Sequence, residues 1–370
     1  MEASYEDAPE DRFSIRDLEY ALPEALIAQA PLPDRDASRL LVVDRATKTM
    51  RDDCIRTLPD LLEPGDLIVL NDTRVLPARL TLRRPTGRRL EGLFLREEQD
   101  GVWSVLLQGS RRLRRGEHLY TRCWELLLKL LDYAGEGIWR VAPVPHPMEE
   151  GRFPRETPRI LERIGTTPLP PYIHRGEDDP EIEAHDRHRY QTIYARRAGA
   201  VAAPTAGLHL TEALLERIRA RGIEITFVTL HVGPGTFRPI AAHTMQEHRM
   251  HEEWYEVGDE AAETINRCRR RGGRIVAVGT TSVRTLESVA VDTPQGPQAR
   301  PASGWTRLFI YPPYRFRLVD VLVTNFHLPR STLLALVMAF AGVELIRRAY
   351  RHAVEERYRF YSYGDAMLIL

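Results

Sequence analysis

The sequence predicts an α/β protein: a large α/β domain with a mixed or mostly parallel sheet, plus a smaller inserted β-barrel domain. From about residue 186 onward, apolar strand-like segments alternate with segments of helical periodicity, which is typical of parallel strands joined by helices. Between residues 76 and 159, short alternating runs are separated by Gly, Pro and Arg turns, and this texture indicates a small barrel or sandwich.

These textures divide the 370 residues into three parts. Residues 1–12 are predicted to be a disordered tail, residues 13–75 and 160–370 a discontinuous α/β catalytic domain, and residues 76–159 an inserted β-barrel-like domain. The acidic N-terminus has no apolar signal region, and the apolar run from Leu333 to Val343 is too short to span a membrane. We therefore expect a cytoplasmic protein with no membrane partner.

The stretch from Ala200 to Pro239 organises the α/β domain. Val201 to Ala203 is apolar and predicts a short strand, Thr211 is placed to cap the following helix, and Gly222 is placed to end it. The β-branched and apolar run from Ile223 to Val232 predicts a buried strand. We interpret the whole as a βαβ unit, because parallel strands need such a crossover.

The remaining elements follow from the same signals. Strands of the α/β domain are predicted at Leu40 to Asp44, Asp66 to Leu70, Arg274 to Gly279, Val319 to Val323 and after Gly364. Helices are predicted at Leu58 to Glu63, from a cap at Asp259 to Arg271, from Val283, from Ser331 or Thr332, and from Glu344 to about Arg357. Strands of the insert are predicted at Arg89 to Leu95, Val102 to Gln108, His118 to Thr121 and Gly137 to Ala142, whereas Trp124 to Leu131 is ambiguous.

Five polar loops each follow a predicted strand: NDTR after Leu70, PTAGLH after Ala203, HVGPGT after Leu230, GTTSVR after Val278 and TNFH after Val323. Ligands of α/β sheets bind outside the carboxyl ends of strands, so these loops are expected to line one cleft. His209 and His231 lie in two of the loops and are candidates for general acid or base, with a structural role as the alternative for each. The TTS segment before a helix suits an anion or a ribose, with ordinary capping by Ser282 as the alternative.

Charge and motif content narrow the possible partners. Lys+Arg and Asp+Glu both total 52, so any polyanion must be bound by a local patch. The stretch from Arg83 to Gly116 holds nine arginines against four acids, and its candidates for an RNA backbone are Arg111, Arg112, Arg114 and Arg115. Solvated turn charge is the alternative. The segment EHRMHEE at 247–253 does not have the HExxH spacing, so no metal site is predicted.

Long motifs distributed over the chain carry a resemblance to one family. In order they are ALPEALIAQAPLPDRDASRLLVVDR, PGDLIVLNDTRVLPARL, PPYI, DRHRYQTIYA, GAVAAPTAGLHLTEALL, VTLHVGPGTFRPI, HRMHEEWYEV, IVAVGTTSVRTLES, FIYPPYRF, TNFHLPRSTLLALVMAFAG and YRFYSYGDAML. Together they resemble the S-adenosylmethionine:tRNA ribosyltransferase-isomerases of queuosine synthesis. The resemblance covers nearly the whole chain beyond residue 13.

This resemblance implies an enzyme that acts on tRNA with a GUN-type anticodon carrying 7-aminomethyl-7-deazaguanine at the wobble position. The ribosyl part of S-adenosylmethionine is transferred to the aminomethyl nitrogen and isomerised, adenine and methionine leave, and the product is epoxyqueuosine. S-adenosylmethionine is a co-substrate, and neither a prosthetic group nor a metal is implied. The family fold, an α/β domain with an inserted β-barrel, agrees with the two textures, and we expect a monomer.

The resemblance and the chemistry together suggest roles for individual residues. His209 and His231 are the candidates for proton transfer, in an order left open. S-adenosylmethionine would be held by Thr205, Gly207, Gly233, Gly235, Thr281, Ser282 and Arg284, with Asn325 and His327 at its ribose or at the incoming base. The wobble base would be read by Asp72 and Arg74, and its aminomethyl ammonium would pair with Asp72 or Asp365.

Two other functions remain open at this point. A phosphoribosyltransferase-like enzyme would also use a strand-TTS-helix loop, but the acidic pair expected before such a loop is absent, and it would require Mg²⁺. A non-catalytic RNA-binding module would use the arginine-rich insert, but it gives no reason for polar loops at five strand ends. Release of pyrophosphate would support the first, and unchanged RNA after incubation the second.

Overall fold

The computed structural model describes residues 13–146, 154–176, 179–237 and 239–370, so the predicted tail at residues 1–12 lies outside the described part. Its strands are β1 Arg39–Asp44, β2 Thr49–Cys54, β3 Leu67–Asn71, β4 Thr73–Val75, β5 Arg79–Arg83, β6 Arg89–Glu97, β7 Trp103–Leu107, β8 His118–Thr121, β9 Leu126–Gly135, β10 Ile138–Pro145, β11 Gly165–Thr166, β12 Arg197–Ala200, β13 Glu224–Leu230, β14 Glu253–Val257, β15 Ile275–Val278, β16 Ala290–Thr293, β17 Gly296–Ala299, β18 Ala302–Thr306, β19 Val321–Asn325 and β20 Ala366–Ile369. Its α-helices are α1 Leu58–Leu61, α2 Thr157–Ile164, α3 Pro180–Arg189, α4 Glu212–Ala220, α5 Asp259–Arg270, α6 Thr280–Val289, α7 Thr332–Ala341 and α8 Val343–Glu355.

In the described ranges the main sheet is mixed and contains nine strands in the order β18-β14-β13-β3-β15-β19-β20-β1-β2. Its centre is parallel, because β13, β3, β15 and β19 all run in one direction. Strands β3, β15 and β19 are largely apolar and buried throughout, as expected for parallel strands covered on both faces, whereas β13 is half-buried at its start. The predicted α/β fold with a mixed or mostly parallel sheet is therefore confirmed.

The two faces of the main sheet pack against different sets of helices. Successive residues of β3 alternate between them, so Leu67 and Val69 join the cluster with α5, α6, α7 and α8, whereas Ile68 and Leu70 join the cluster with α1 and α4. The loops at the strand ends are consequently held on a rigid, three-layered base.

The inserted part is a closed antiparallel barrel. Its six strands follow the order β5-β6-β7-β10-β9-β8, and a pairing between β5 and β8 closes it. Short strand β11 pairs with β5, and helix α2 packs Ile160, Leu161 and Ile164 into the barrel's apolar cluster. The predicted β-barrel is confirmed. The domain boundaries at residues 76 and 159 stay a prediction, and the barrel's sheet itself includes residues from Arg79 to Thr166.

Several local predictions were wrong. The strand predicted at Val201 to Ala203 lies earlier, in β12, and β12 pairs with β4 outside the main sheet, so the βαβ interpretation was wrong as well. The apolar run from Val201 to Ala203 is buried but is not part of a paired strand. An apolar run predicts burial, and burial alone does not distinguish a strand from a buried loop. Asp259 does not cap α5, because Gly258 holds that position. Helix α6 begins at Thr280 rather than Val283.

Other local predictions hold. The Oγ1 of Thr211 accepts from the amide of Leu214 and caps α4, and the chain turns at Gly222 just beyond that helix. The Oγ of Ser331 caps α7 in the same way. The ambiguous segment in the insert is a strand, β9, which packs its alternate leucines into the barrel.

Candidate active site between the sheet and the barrel

Four of the five polar loops follow parallel strands of the main sheet and lie at the edge where those strands end, whereas PTAGLH follows β12, which lies outside that sheet. Asn71, the last residue of β3, connects three of them. Its Nδ2 donates to the carbonyl of Leu230 at 3.0 Å and to the Oγ1 of Thr281 at 3.2 Å. Its Oδ1 accepts from the amides of Leu230 and Thr73 at 3.0 and 3.1 Å. The side chain of Asn71 therefore sets the spacing of the NDTR, HVGPGT and GTTSVR loops.

A cleft of about 1020 Å³ separates this edge from the barrel. Its wall on the α/β side includes His231, Gly233, His248, Arg249, His251, Trp254 and Trp305, and its wall on the barrel side includes Phe94, Arg96, Glu98, Leu106 and Arg140. The volume is at the upper end of the range for small-molecule sites. It has room for a nucleoside-sized molecule together with a base from a second substrate.

His231 is the predicted catalytic residue that lines this cleft. Its ring stacks on Trp254 with centroids 5.0 Å apart and planes 20° apart, and its Nδ1 lies 2.8 Å from the Oγ1 of Thr73. The Thr73 hydroxyl faces the carbonyl of Arg197 at 3.5 Å, so when it donates there it accepts from Nδ1–H. The other nitrogen, Nε2, is then unprotonated and able to act as a base.

Burial sets the charge of this imidazole. The pKa of His231 is lowered to about 4, chiefly by desolvation and then by the positive charge of Arg197. At neutral pH the ring is therefore uncharged. A neutral imidazole whose first nitrogen is fixed by a hydroxyl is suited to accept a proton through the second.

Replacing Gly199 with alanine should displace the imidazole ring of His231, because the three atoms nearest to the added Cβ all belong to that ring. A Cβ on Gly199 would lie 2.5 Å from the Nε2 of His231, closer than van der Waals contact allows. The imidazole must shift, and a displacement of about 1 Å at a reacting group costs about 10²-fold in rate. We expect kcat of the folded enzyme to fall by that order, and the thermal unfolding midpoint to fall as well, because Gly199 has a φ of +156° that residues with a side chain rarely adopt. Gly176→Ala is the matched control, because a Cβ there meets nothing within 4 Å; equal kcat for the two variants would contradict this placement.

His209, the other catalytic candidate, is buried away from the cleft. It is 4% exposed, its Nδ1 lies 3.0 Å from the Oγ of Ser38, and its Nε2 lies 3.2 Å from the Nδ2 of Asn325. Burial and the charges of Arg359 and Arg35 lower its pKa to about 4. Both ring nitrogens are engaged within the protein. The contact between His209 and Asn325 joins the PTAGLH and TNFH loops.

His327 and Asn325 also face the interior. His327 is 8% exposed, its Nε2 lies 2.8 Å from the Oγ1 of Thr324, and desolvation lowers its pKa to about 3. Asn325 is buried and donates to the carbonyl of Tyr361 at 3.1 Å. Neither lines the cleft, so a contact to the S-adenosylmethionine ribose or to the incoming base stays a prediction.

The buried histidines predict a loss of stability in mild acid. His209, His231 and His327 have a pKa of about 4, 4 and 3 in the folded protein, against an ordinary value of 6.5. Between pH 6.5 and about 4 the unfolded chain binds more protons, so the free energy of unfolding must fall as the pH falls through this window. Urea unfolding at about pH 7 and pH 5 measures the drop. In His327→Gln the drop should be smaller, and an unchanged drop would contradict the assignment.

Arg284 and Glu253 form a buried ion pair behind the HVGPGT loop. Their side chains are 5% and 4% exposed, and the Nη1 of Arg284 donates to Glu253. The same carboxylate accepts from the amide of Gly233 at 2.8 Å and from the Oγ1 of Thr236 at 3.1 Å. This role of Glu253 was not predicted from the sequence, because its strand β14 was not predicted. Arg284 supports the loop from behind and does not line the cleft.

The remaining predicted S-adenosylmethionine residues shape the loops. Gly207 and Gly235 are required by packing, since a Cβ would lie 2.0 Å from the hydroxyl of Tyr194 and 2.2 Å from the Cδ2 of His251, respectively. Ser282 is fully buried and donates to the carbonyl of Val278. Thr281 accepts from Asn71, and Thr205 is half-buried at the start of the 3-10 turn Thr205–His209. Among the predicted S-adenosylmethionine residues, Gly233 is the one that lines the cleft.

The three residues predicted to read the wobble base lie apart from one another. Asp72 is buried, accepts from the Oγ1 of Thr229 at 2.7 Å, and has its pKa raised by desolvation. Arg74 pairs with Glu162 at 3.7 Å and lines a separate cavity of about 350 Å³. Asp365 is buried and accepts from the backbone amide of Arg359 at 2.8 Å. None of the three lines the cleft, and contacts to the base stay predictions.

The arginine-rich segment lies on the surface of the barrel. Arg112, Arg114 and Arg115 are exposed, and Arg111 lies in the 3-10 turn Ser110–Arg112, where its side chain is not described. In the described residues, no group of three or more His, Cys, Asp or Glu side chains is placed to hold a metal ion. Nor does any helix in the described ranges have both the length and the apolar character needed to cross a membrane.

Comparison with known proteins identifies the family. A family model described as queuosine biosynthesis protein matches residues 15–369. This chain belongs to that queuosine biosynthesis family. It is 51% identical over 360 residues to an S-adenosylmethionine:tRNA ribosyltransferase-isomerase of Symbiobacterium thermophilum, with 96% of this chain and 99% of the relative covered. The protein of the same name from Xylella fastidiosa is 50% identical over 353 residues, with 95% and 96% covered.

Comparison with a solved structure agrees with this assignment. The chain is similar to the crystal structure of an S-adenosylmethionine tRNA ribosyltransferase from Thermotoga maritima, at 37% identity and a TM-score of 0.53. The match covers 96% of this chain and 100% of that one. The family predicted from the sequence motifs is confirmed.

Proposed function

We propose that this protein is an S-adenosylmethionine:tRNA ribosyltransferase-isomerase. It transfers the ribosyl part of S-adenosylmethionine to 7-aminomethyl-7-deazaguanine at the wobble position of tRNA and isomerises it, which gives epoxyqueuosine-tRNA and releases adenine and methionine. The observation that carries the proposal is similarity at 51% identity over nearly the full length to a protein of that name. Since tRNA is the substrate, we expect the reaction to take place in the cytoplasm.

The cleft is the proposed site of this reaction. It lies outside the carboxyl ends of parallel strands, where ligands of α/β sheets bind, and the barrel forms its opposite wall. S-adenosylmethionine would bind along the HVGPGT loop, where Gly233 lines the cleft and Glu253 and Arg284 hold the loop in place. The other loop residues act on the co-substrate through the shape of this wall.

His231 is the proposed general base. The sulfonium of S-adenosylmethionine acidifies its neighbouring C5′ protons, so a neutral imidazole facing the cleft is suited to remove one. Thr73 fixes the ring through Nδ1, and stacking on Trp254 fixes its plane. His209, with both nitrogens engaged inside the protein, is proposed to position the TNFH loop through Asn325.

The tRNA would reach the cleft along the barrel. The exposed Arg112, Arg114 and Arg115 are proposed to contact the phosphate backbone, and the substrate is proposed to be a tRNA with a GUN-type anticodon. Arg249, exposed on the cleft wall, offers a further phosphate contact. The wobble nucleotide must leave its stack to enter the cleft, as in other enzymes that modify a base.

The test follows the fate of S-adenosylmethionine. Purified protein is incubated with S-adenosylmethionine and tRNA carrying the aminomethyl base, and the small molecules are separated by liquid chromatography. The proposal predicts adenine and methionine in equal amounts, and neither when the tRNA carries unmodified guanine. S-adenosylhomocysteine as the product would indicate methyl transfer instead, and an unchanged co-substrate with active tRNA would contradict the proposal.

A further inference from the structure

Three aromatic rings form a row across the cleft wall. The backbone amide of His231 donates to the carbonyl of Trp254 at 2.9 Å, and Trp254 lies directly opposite Trp305 in the antiparallel pair β14–β18. Residues opposite one another in antiparallel strands project to the same face, so the three side chains share one face of the sheet. All three line the cleft. The row begins at the proposed base and ends at Trp305.

Trp305 differs from the other two rings in being open to solvent. Its side chain is 53% exposed, although indole is among the largest apolar groups a protein can bury. The guanidinium carbon of Arg96, on the barrel side of the cleft, lies 5.5 Å from the centre of the Trp305 ring. Arg96 is itself half exposed and lies 3.9 Å from Glu98. A flat aromatic face and a planar cation therefore oppose each other across the mouth of the cleft.

We propose that Trp305 is a stacking platform for a nucleobase of the anticodon loop adjacent to the wobble nucleotide, with Arg96, which now lies over the ring, moving outward to cover the second face of that base. This inference rests on the proposed function, since it assumes that the wobble base enters the cleft at His231. Neighbouring strands lie about 4.8 Å apart, so Trp305 is about 10 Å from His231 across β14. That separation suits the next nucleotide of a splayed-out RNA strand.

The exposure of Trp305 distinguishes RNA from the small co-substrate. Small-molecule sites enclose about 70–90% of their ligand, and a ring at the mouth of the cleft does not provide such an enclosure. Single-stranded RNA is instead bound on open aromatic faces, with arginine planes adding to the stack. The platform binds any base and does not contribute to sequence specificity, because every base has a π-face.

The experiment uses anticodon stem-loop RNAs in which 2-aminopurine replaces the nucleotide on the 5′ or the 3′ side of the wobble position. Stacking on tryptophan quenches this probe, so titration reports both stacking and Kd. We expect Trp305→Ala to lose the quenching at one of the two positions and to weaken Kd by about 5- to 150-fold. Trp305→Phe should retain most of the affinity. Arg96→Lys keeps the charge but loses the plane, and it should fall between Trp305→Ala and the wild type.

Trp124→Ala is the matched control. Trp124 is 56% exposed on the barrel, packs on Tyr120 at 4.9 Å and does not line the cleft. It should bind and quench as the wild type does. The inference is overturned if Trp305→Ala matches Trp124→Ala, if the wild type shows no quenching, or if Trp305→Ala raises the KM for S-adenosylmethionine at an unchanged RNA Kd. Quenching by a wild-type protein that forms no product would leave the platform in place and refute the proposed reaction.

Discussion

Replacing His231 with alanine will lower turnover by about 10²–10⁴-fold while tRNA binding stays close to wild type. The imidazole lines the cleft, has its Nδ1 fixed by Thr73 at 2.8 Å and is neutral above a pKa of about 4. Removing it deletes the base without altering the arginines of the barrel. Single-turnover assays under saturating tRNA report the loss of catalysis, and a separate measurement of the Kd for tRNA reports any loss of binding.

Two variants make this result specific to His231. His185→Ala removes an exposed histidine of α3 and should behave as wild type. His209→Ala should lower stability, because the Nδ2 of Asn325 and the Oγ of Ser38 each lose their hydrogen bond to His209. Its folded fraction should still turn over. Near-normal turnover by His231→Ala would remove His231 from the mechanism, and selective loss in His209→Ala would move the base to that position.

Replacing Glu253 with alanine will destabilise the protein by about 3–5 kcal/mol, because it leaves the charge of Arg284 buried and unpaired. Both side chains are at most 5% exposed. The variant also removes the acceptor for the amide of Gly233, so the HVGPGT loop loses its attachment to β14. Denaturant unfolding measures the loss of stability.

The neighbouring residue provides the control. Glu252 pairs with Arg307 at 2.7 Å, but these side chains are 39% and 70% exposed. Exposed pairs contribute about 0–1 kcal/mol, so Glu252→Ala should change the free energy of unfolding by no more than that. Equal losses in the two variants would show that the Arg284–Glu253 pair does not hold the loop. Glu253→Gln, which keeps an acceptor for Gly233, should lie between them.

Strands with both faces buried were predicted from the sequence because such strands are apolar at nearly every position, whichever strands lie beside them. β3, β15 and β19 are buried throughout and largely β-branched or apolar, and the polar loops that follow them were recognised for the same reason. β14 and β18 were missed. They lie at the edge of the sheet, half exposed, and the sequences EWYEV and ASGWT have little apolar alternation.

Side-chain roles depended on contacts between distant parts of the chain. His209 and His231 occupy equivalent positions after apolar runs, and only the packed structure places one against Ser38 and the other in the cleft. Glu253 gains its role from Arg284, 31 residues away. Asn71 was passed over although its loop was recognised, because its partners arrive on β13 and α6. Motif resemblance identified the family without settling these geometries.

We propose above all that the wobble nucleobase is modified in this cleft and that His231 is the general base of the reaction. The most direct measurement is mass spectrometry of nucleosides from tRNA carrying 7-aminomethyl-7-deazaguanine, after incubation with S-adenosylmethionine and either wild-type protein or His231→Ala. We expect a mass gain matching the epoxycyclopentanediol group with the wild type and almost none with the variant. An unmodified wobble nucleoside after incubation of the wild type with active substrate would contradict it.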